Sequence, residues 1–531
     1  MSDGGQPIPG ASVSFLVVGG NMGHSAITDS DGNFKIPGLD SGVYRLYSYA
    51  SGYVMQSPGS SATNYRPGDR AELTMIKTAV IAGTVTNISG DPVVNVQVRA
   101  FQVRDLDGNK VEDSPFSQSV FTDDRGYYRM WSLRPGAYLI AAGGPGQYYG
   151  SINPFANDAM TYAPASTRDT AVEIIARSNQ EMTADIRYRG ERGHSVSGRI
   201  SGTLPPVPYS PGVRLTDVET RQSVAATQVN TADKSFQLDG VADGEYEIIS
   251  QGGGQVGQVS SPAKRVTVRG ADVTGIELAL APMAAVDAHV NLEADEKLNC
   301  GRRRPTALRE TVVTLRRIVP EAKPGNPKGK PSDTLENPVS TSSSDENVPS
   351  DKGDIHFRDL AAATYRFDIR VPAAGWYLKN LSFTKPEVNL ARNGLAVKPG
   401  DKISGVTITI SEGGASLRGR LTSAEGDTPP ANLRVYLVPA DRENADNPLR
   451  FFDEAVAGDA TFAIGNIAPG KYWLLARVAE AAGLSKIKSP QTDNDLRPQL
   501  LKEAAALNRE ISFKPCERTV EYEFRYPSAK P

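Results

Sequence analysis

The sequence predicts an all-β chain: a tandem array of five related β-sandwich domains, with one short helix near the C-terminus. Three observations carry this. A frame of an aromatic, an aliphatic five residues on, a Gly at eight and a Tyr at ten occurs as Phe34, Leu39, Gly42, Tyr44; Tyr128, Leu133, Gly136, Tyr138; and Phe236, Val241, Gly244, Tyr246. It recurs as Phe462, Ile467, Gly470, Tyr472 and, in worn form, as Ile355, Leu360, Ala363, Tyr365. The five tyrosines lie 94, 108, 119 and 107 residues apart, which is the spacing of domains. Finally, Gly 50 and Pro 37 in 531 residues exceed the average of roughly 12% for the two together, as a turn-rich β chain requires.

Within the frame the order is turn, strand, loop, strand. Asp31-Gly32, or Arg125-Gly126, can reverse the chain. Phe34 and Ile36 alternate with polar neighbours, the period-two pattern of a half-buried strand. The Gly at position eight suggests a positive φ. The Tyr ring belongs in the sandwich with its hydroxyl at the edge, where it can find a partner. Phe34, Tyr44, Tyr128, Tyr138, Phe236, Tyr246, Tyr365, Phe462 and Tyr472 are therefore read as repeat core, not as a site.

Taken in order, the copies divide at 1–79, 80–193, 194–283, 284–413 and 414–531. Copies two, three and five open on an apolar-x-Gly-x-apolar strand: Ile81 to Val85, Val196 to Ile200 and Leu417 to Leu421. Copy four has the variant Val286 to Val290. Copy one has the next part, Gly5-Gln6-Pro7 leading to Val13 and Phe15, and nothing for the opening strand. Either the start of the chain is truncated or another molecule supplies that strand at an open sheet edge. A truncated start would also account for the polar N-terminus, which carries no signal peptide. Almost no linker separates one copy from the next, which predicts a semi-rigid rod.

Three insertions interrupt the plan. The loop 143–170 of copy two carries Tyr148, Tyr149, Phe155 and Tyr162 among Gly, Pro and Asn. Either these rings stack on sugars, or the loop packs them on its own domain. The stretch 321–352 in copy four is poor in apolar residues and predicted to be disordered. In copy five, 495–508 predicts a helix, with Asp495 as N-cap and Pro498 in the first turn, covering an edge or face of the last sandwich.

The repeated unit resembles the carboxypeptidase regulatory-like domain. The residues that carry the likeness are Gly83-Thr84-Val85, the run Gly5 to Val13, the run Thr28 to Leu39 and Ser41 to Leu46. The resemblance implies that each copy is a seven-stranded transthyretin-like sandwich, related to the carbohydrate-binding-like fold and to the B-type repeats of Gram-positive surface adhesins. Tandem copies of that family are typical of exported bacterial proteins. They form stalks, sit beside peptidases or precede outer-membrane receptor barrels.

Chemistry is harder to find. Net charge is −3 with acids and bases interspersed, so there is no basic stripe for nucleic acid. No apolar run reaches the ~18 residues of a membrane helix. The four histidines, His24, His194, His289 and His356, match no metal spacing. Related sandwiches host iron dioxygenases with Tyr and His ligands, but here the repeated Tyr is a core position. Asp29 to Gly32 and Asp105 to Gly108 resemble fragments of calcium loops without the remaining ligands, and turn chemistry accounts for them. No cofactor and no catalytic residue is predicted. Cys300 and Cys516, the only cysteines, would clamp neighbouring copies across 216 positions if the protein is exported. The alternative is two unrelated buried thiols.

The expected function is a non-enzymatic scaffold, extracellular or at the cell surface, acting by adhesion or by self-assembly through strand addition. Its partners would be itself, other surface proteins or polysaccharide. Carbohydrate binding is the first alternative, and an accessory segment of a peptidase or receptor system the second.

Overall fold

The computed structural model describes the chain apart from residues 19–22, 24, 56–63, 107, 112–117, 146–152, 203–209, 255–256, 299, 302–307, 321–332, 336–347, 385–387, 424–432, 479–488 and 527–531. Strands dominate throughout, and copy five shows the plan most plainly with seven of them. Its first sheet places Ala415–Ser423 between Thr461–Ile467, antiparallel, and Arg518–Tyr526, parallel. Its second sheet runs Phe452–Ala455, Leu433–Pro439, Gly470–Val478, Glu510–Phe513. Alternating side chains from both sheets meet in one core that includes Leu417, Val435, Ile464, Tyr472, Leu474 and Phe524. Copies two, three and four repeat the arrangement, each around a core of its own.

The opening strand needs its Gly for a steric reason. A bulge shifts the register where this strand meets the closing strand, between Val196 and Gly198 in copy three and between Leu417 and Gly419 in copy five. A Cβ on Gly83, Gly198 or Gly419 would collide with the carbonyl oxygen of Ala184, Ile276 or Tyr522 respectively. Backbone touches backbone at these positions.

The five framed tyrosines share one contact. Each hydroxyl donates to the carbonyl four residues earlier: Tyr44 to Asp40 (2.7 Å), Tyr138 to Arg134 (2.8 Å), Tyr246 to Ala242 (2.9 Å), Tyr365 to Ala361 (2.8 Å) and Tyr472 to Ala468 (2.8 Å). The rings are buried, and the bond pins the corner loop to the strand it leads into. Burial pushes the Tyr472 hydroxyl up to about 12, so it remains a donor throughout the physiological range. Tyr472→Phe is expected to destabilise copy five by about 1 kcal/mol, the worth of a buried hydrogen bond whose acceptor is left with fewer partners. Urea unfolding followed by hydrogen exchange in Gly470–Val478 checks this.

The Gly before each Tyr is only partly explained by backbone angle. Gly136 and Gly470 have φ of 149° and 151°, but Gly42 and Gly244 lie outside the positive region and instead face the Tyr ring. The left-handed residue common to every copy is the one before the aliphatic: Gly38, Ser132, Gly240, Asp359 and Asn466, with φ between 54° and 72°. Gly, Asn and Asp tolerate that conformation best.

The predicted helix spans Leu496–Leu507 and ends on Asn508 in the left-handed conformation. Asp495 does not cap it through its side chain; Asp493 Oδ1 accepts from the Asp495 and Leu496 amides instead. Leu500 and Ala504 cover the outer face of the second sheet against Tyr436, Val438, Phe451 and Leu475. A four-residue helix, Leu390–Asn393, was not expected. Most of 321–352 lies outside the described residues, although Asp333–Leu335 forms a short strand on Val312–Pro320.

The joints are short, as Met75–Lys77 running into Ala79–Thr86 shows. The structure is nevertheless not the linear rod expected from them. Arg66 of copy one reaches copy four, donating from Nη2 to Val371 O at 2.7 Å and to Glu310 O at 3.3 Å. Beside it Val18 and Val43 of copy one and Val312 of copy four share one apolar cluster. The chain folds back on itself.

Candidate functional site

In copy two the opening strand lies between two partners: Tyr127–Leu133, which pairs Tyr128 with Gly83 and Met130 with Ile81, and the closing strands, which pair Glu181 with Val80 and Ile186 with Val85. Copy one has both flanking segments. They are Phe34–Leu39, which follows the turn at Gly32, and Arg70–Thr74, which leads into Met75–Lys77. Among the described residues neither has a strand partner on its inner edge. Only the last pair of the missing strand is formed. Ser2 bridges Met75 in parallel, with Met75 N donating to Met1 O at 2.9 Å and Met1 N to Leu73 O at 2.8 Å.

The correspondence with copy two is residue for residue. Ser2 N donates to Gln6 O at 2.8 Å as Asn87 N donates to Asp91 O at 2.8 Å, and Met75 stands to Met1 as Tyr188 stands to Thr86. What distinguishes copy one is burial. Tyr128, Met130 and Leu133 are 1%, 0% and 2% exposed, whereas Phe34, Ile36 and Leu39 are half-buried. Phe34 is thus half-buried, not the fully buried core residue that the frame predicts. The candidate site is the position between Phe34–Leu39 and Arg70–Thr74, along which Phe34, Ile36, Leu39 and Leu73 are half-buried and Met1 N donates to Leu73 O.

The turn that starts this segment is built from Asp29, whose Oδ1 accepts from the amides of Asp31 (3.0 Å) and Asn33 (2.8 Å). Asp123 does the same for Arg125 and Tyr127, and Asp105 Oδ1 accepts from Asn109 N at 2.8 Å. These carboxylates are occupied in holding turns. Among the described residues no group of three or more side chains is placed to hold a metal ion.

Of the aromatic loop in copy two, Tyr148 and Tyr149 lie outside the described residues. Phe155 packs edge-on against Tyr188, ring centroids 5.6 Å apart, and joins the core of its copy. Tyr162 is 6% exposed, in a short strand that pairs with Gly136–Ala142. These two rings pack inward on their own domain, Phe155 partly and Tyr162 almost fully buried. Arg99 is buried, donating to Gly143 O and Pro145 O, while its Nε and Nη1 have no hydrogen-bond partner among the described residues. Burial lowers its pKa to about 10.

Sequence spacing gave no reason to associate any histidines, yet His289 and His356 lie on paired strands. His289 Nδ1 is 2.9 Å from Asp354 and His356 Nδ1 is 2.7 Å from Asp287. His24 lies outside the described residues. Cys300 and Cys516 are brought together, with an Sγ–Sγ distance of 1.97 Å and Cα atoms 4.8 Å apart. Arg518 Nη2 donates to Cys300 O at 2.9 Å, and Asn466 Nδ2 to Ala373 O and Trp376 O at 2.9 and 2.7 Å, across the same joint.

Residues 1–75 match the carboxypeptidase regulatory-like domain family. The match covers the copy that contains the open strand position; the later copies are related to it through the shared frame and topology. No curated protein matches the chain. Among solved structures the chain is similar to the Bacillus anthracis TIE protein, at 9% identity over 91% of this chain and 70% of that one, TM-score 0.16. It is similar also to GBS52, the minor pilin of Streptococcus agalactiae, at 12% identity over 38% and 87%, TM-score 0.18. A streptococcal ancillary pilin shows 10% identity over 64% and 100%, TM-score 0.17. Likeness at this level says nothing about activity.

Proposed function

We propose that this chain is a non-enzymatic scaffold of the extracellular space or cell surface, built from five tandem sandwiches, which joins its partner by accepting a β-strand into copy one. The observation that carries the reading is that, among the described residues, neither Phe34–Leu39 nor Arg70–Thr74 has a strand partner on its inner edge, while Phe34, Ile36, Leu39 and Leu73 are only half-buried. Strand addition supplies backbone hydrogen bonds on both sides and buries alternate side chains. The occupant's chemistry follows from the other copies: an extended segment of apolar-x-Gly-x-apolar pattern, antiparallel to Phe34–Leu39. The opening strands of copies two to five each lie inside their own sheet, so a neighbour that extends this into a filament would donate a different segment of that pattern. The bonded Cys300 and Cys516 support an oxidising compartment, where disulfides persist.

The test uses a peptide with the sequence of Val80–Thr86. Bound to the full chain, it is expected to slow amide exchange about tenfold or more at 33–39 and 70–74, as newly paired edges do. The same peptide with Val in place of its Gly should not bind. Protection elsewhere, or equal binding of both peptides, would sink the strand-acceptor reading. Electron microscopy of native material should show filaments with this chain as repeating unit, and Ile36→Asp should abolish them.

A further inference from the structure

In copies two and five the chain itself closes the outer face of the second sheet. The loop that carries Tyr162 lies over Phe101, Leu139 and Ala141, and the helix Leu496–Leu507 lies over Tyr436, Val438 and Leu475. The third residue past the framed tyrosine belongs to that face: Ala141 in copy two and Leu475 in copy five, both buried. In copy one the same position is Tyr47, which is 43% exposed, and Tyr49, two residues on, is 68% exposed.

Tyr47 and Tyr49 share this face because side chains alternate along a strand, and Tyr44 turns into the sandwich. Strand register sets their neighbours. Tyr49 lies opposite Ser12, which on its other side lies opposite the exposed Ile27, and Tyr47 lies opposite Ser14. Arg45 and Asn64 are paired in the next row, with Arg45 Nε donating to Asn64 Oδ1 at 3.4 Å. Among the described residues the hydroxyls of Ser12, Ser14, Tyr47 and Tyr49 have no hydrogen-bond partner. The result is two rings about 7 Å apart along one straight strand, edged by hydroxyls and without a carboxylate in their rows.

We propose that this face binds an extended, neutral, ribbon-like polysaccharide of the cellulose class. Three features select that chemistry. Where protein covers the corresponding position it is Ala or Leu, whereas copy one puts Tyr and Ser there, side chains whose polar atoms bond well to a hydroxylated ligand. Two rings and Ile27 also make a patch far below the roughly 800 Å² that each partner of a stable protein interface contributes, but a sugar needs only one ring to stack on. Finally, rings two residues apart on a strand stand in line. A ribbon-like glycan can lay the C–H faces of its sugars on both and turn its hydroxyls to Ser12 and Ser14, while a coiled glycan bends away after one ring. The proposal does not depend on strand acceptance, which uses the other sheet of copy one.

The test runs the full chain through native gels containing hydroxyethylcellulose, with cellohexaose and maltohexaose as soluble competitors. Migration is expected to be retarded, and cellohexaose but not the coiled maltohexaose should reverse this. Tyr49→Ala should weaken binding about tenfold, and Tyr47→Ala with Tyr49→Ala should abolish it. Tyr49→Trp, which keeps a ring, should retain it. Both positions are exposed, so the thermal midpoint of each variant should match that of the unsubstituted chain. Three results overturn the inference: no retardation, equal competition by the two sugars, or retardation unchanged in the double variant. If sedimentation instead shows that the double variant loses self-association and hydroxyethylcellulose has no effect, the face belongs to a second copy of this chain, which overturns it equally. The double variant should bind the Val80–Thr86 peptide as the unsubstituted chain does, so that failure of this proposal and failure of the strand-acceptor reading are told apart.

Discussion

Gly198→Ala is expected to unfold copy three under conditions in which the other copies stay folded. The added Cβ would meet the carbonyl of Ile276, its carbon and its Cα together, all backbone of the closing strand. No rotamer change can relieve this, because nothing in the way is a side chain. The opening strand is also hydrogen-bonded on both edges, to Ser235–Val241 and to Val273–Ala279, so it cannot move aside without breaking a ladder. Strain of this kind belongs to the large end of single-substitution effects, about 4 kcal/mol. For a copy of this size that is a drop of about 20 °C in the midpoint. Hydrogen exchange in Ser235–Val241 during heating measures it. The reverse change in copy four, Ala288→Gly, removes a side chain that is already accommodated and should cost no more than about 1 kcal/mol. If Gly198→Ala shifts copy three no further than Ala288→Gly shifts copy four, the steric account of the repeated Gly is wrong.

This Gly also shows where sequence reading stops. Its recurrence at the third place of the opening strand is plain in Gly83, Gly198 and Gly419; the closing-strand carbonyl that lies against it is a long-range neighbour and leaves no local mark. The tyrosine frame was readable because a large ring with one polar end has few solutions at a sandwich corner. Its acceptor was not, since a backbone carbonyl has no sequence signature. The left-handed position was hidden for a related reason: Gly38, Ser132, Gly240, Asp359 and Asn466 share a backbone conformation and not an identity. In the candidate site, Gly5-Gln6-Pro7 was recognisable as the counterpart of Gly90-Asp91-Pro92 in copy two. The aromatic loop misled in part because composition does not say which way a ring faces, and Phe155 and Tyr162 face inward. The return of copy one to copy four could not be read at all. Arg66 bonds to the carbonyls of Glu310 and Val371, groups that any residues in those places would offer.

The second large effect is expected at the joint between copies four and five. Cys300→Ser with Cys516→Ser should separate two unfolding transitions that coincide while the bridge is present. A closed loop of 216 positions restricts the unfolded chain by about 5 kcal/mol in the chain-entropy account, an upper limit for two units that each keep their own core. What remains at the joint is Asn466 on two carbonyls of copy four, Arg518 on the carbonyl of Cys300, Leu449 packed on the core of copy four and Arg450 over the Tyr377 ring. Each hydrogen bond contributes about 1 kcal/mol, somewhat more where the donor is charged, so no single one of them replaces the bridge. Without the bridge copy five should open first, seen as faster exchange in Arg518–Tyr526 with Lys402–Glu412 unchanged. Reduction of the unsubstituted chain should reproduce the result. If both strands instead keep the same exchange rates without the bridge, these contacts carry the joint, and the disulfide is a consequence of two copies already docked. A scaffold that bears load along its length depends on which of these holds, because a covalent joint transmits force between cores that non-covalent contacts would release.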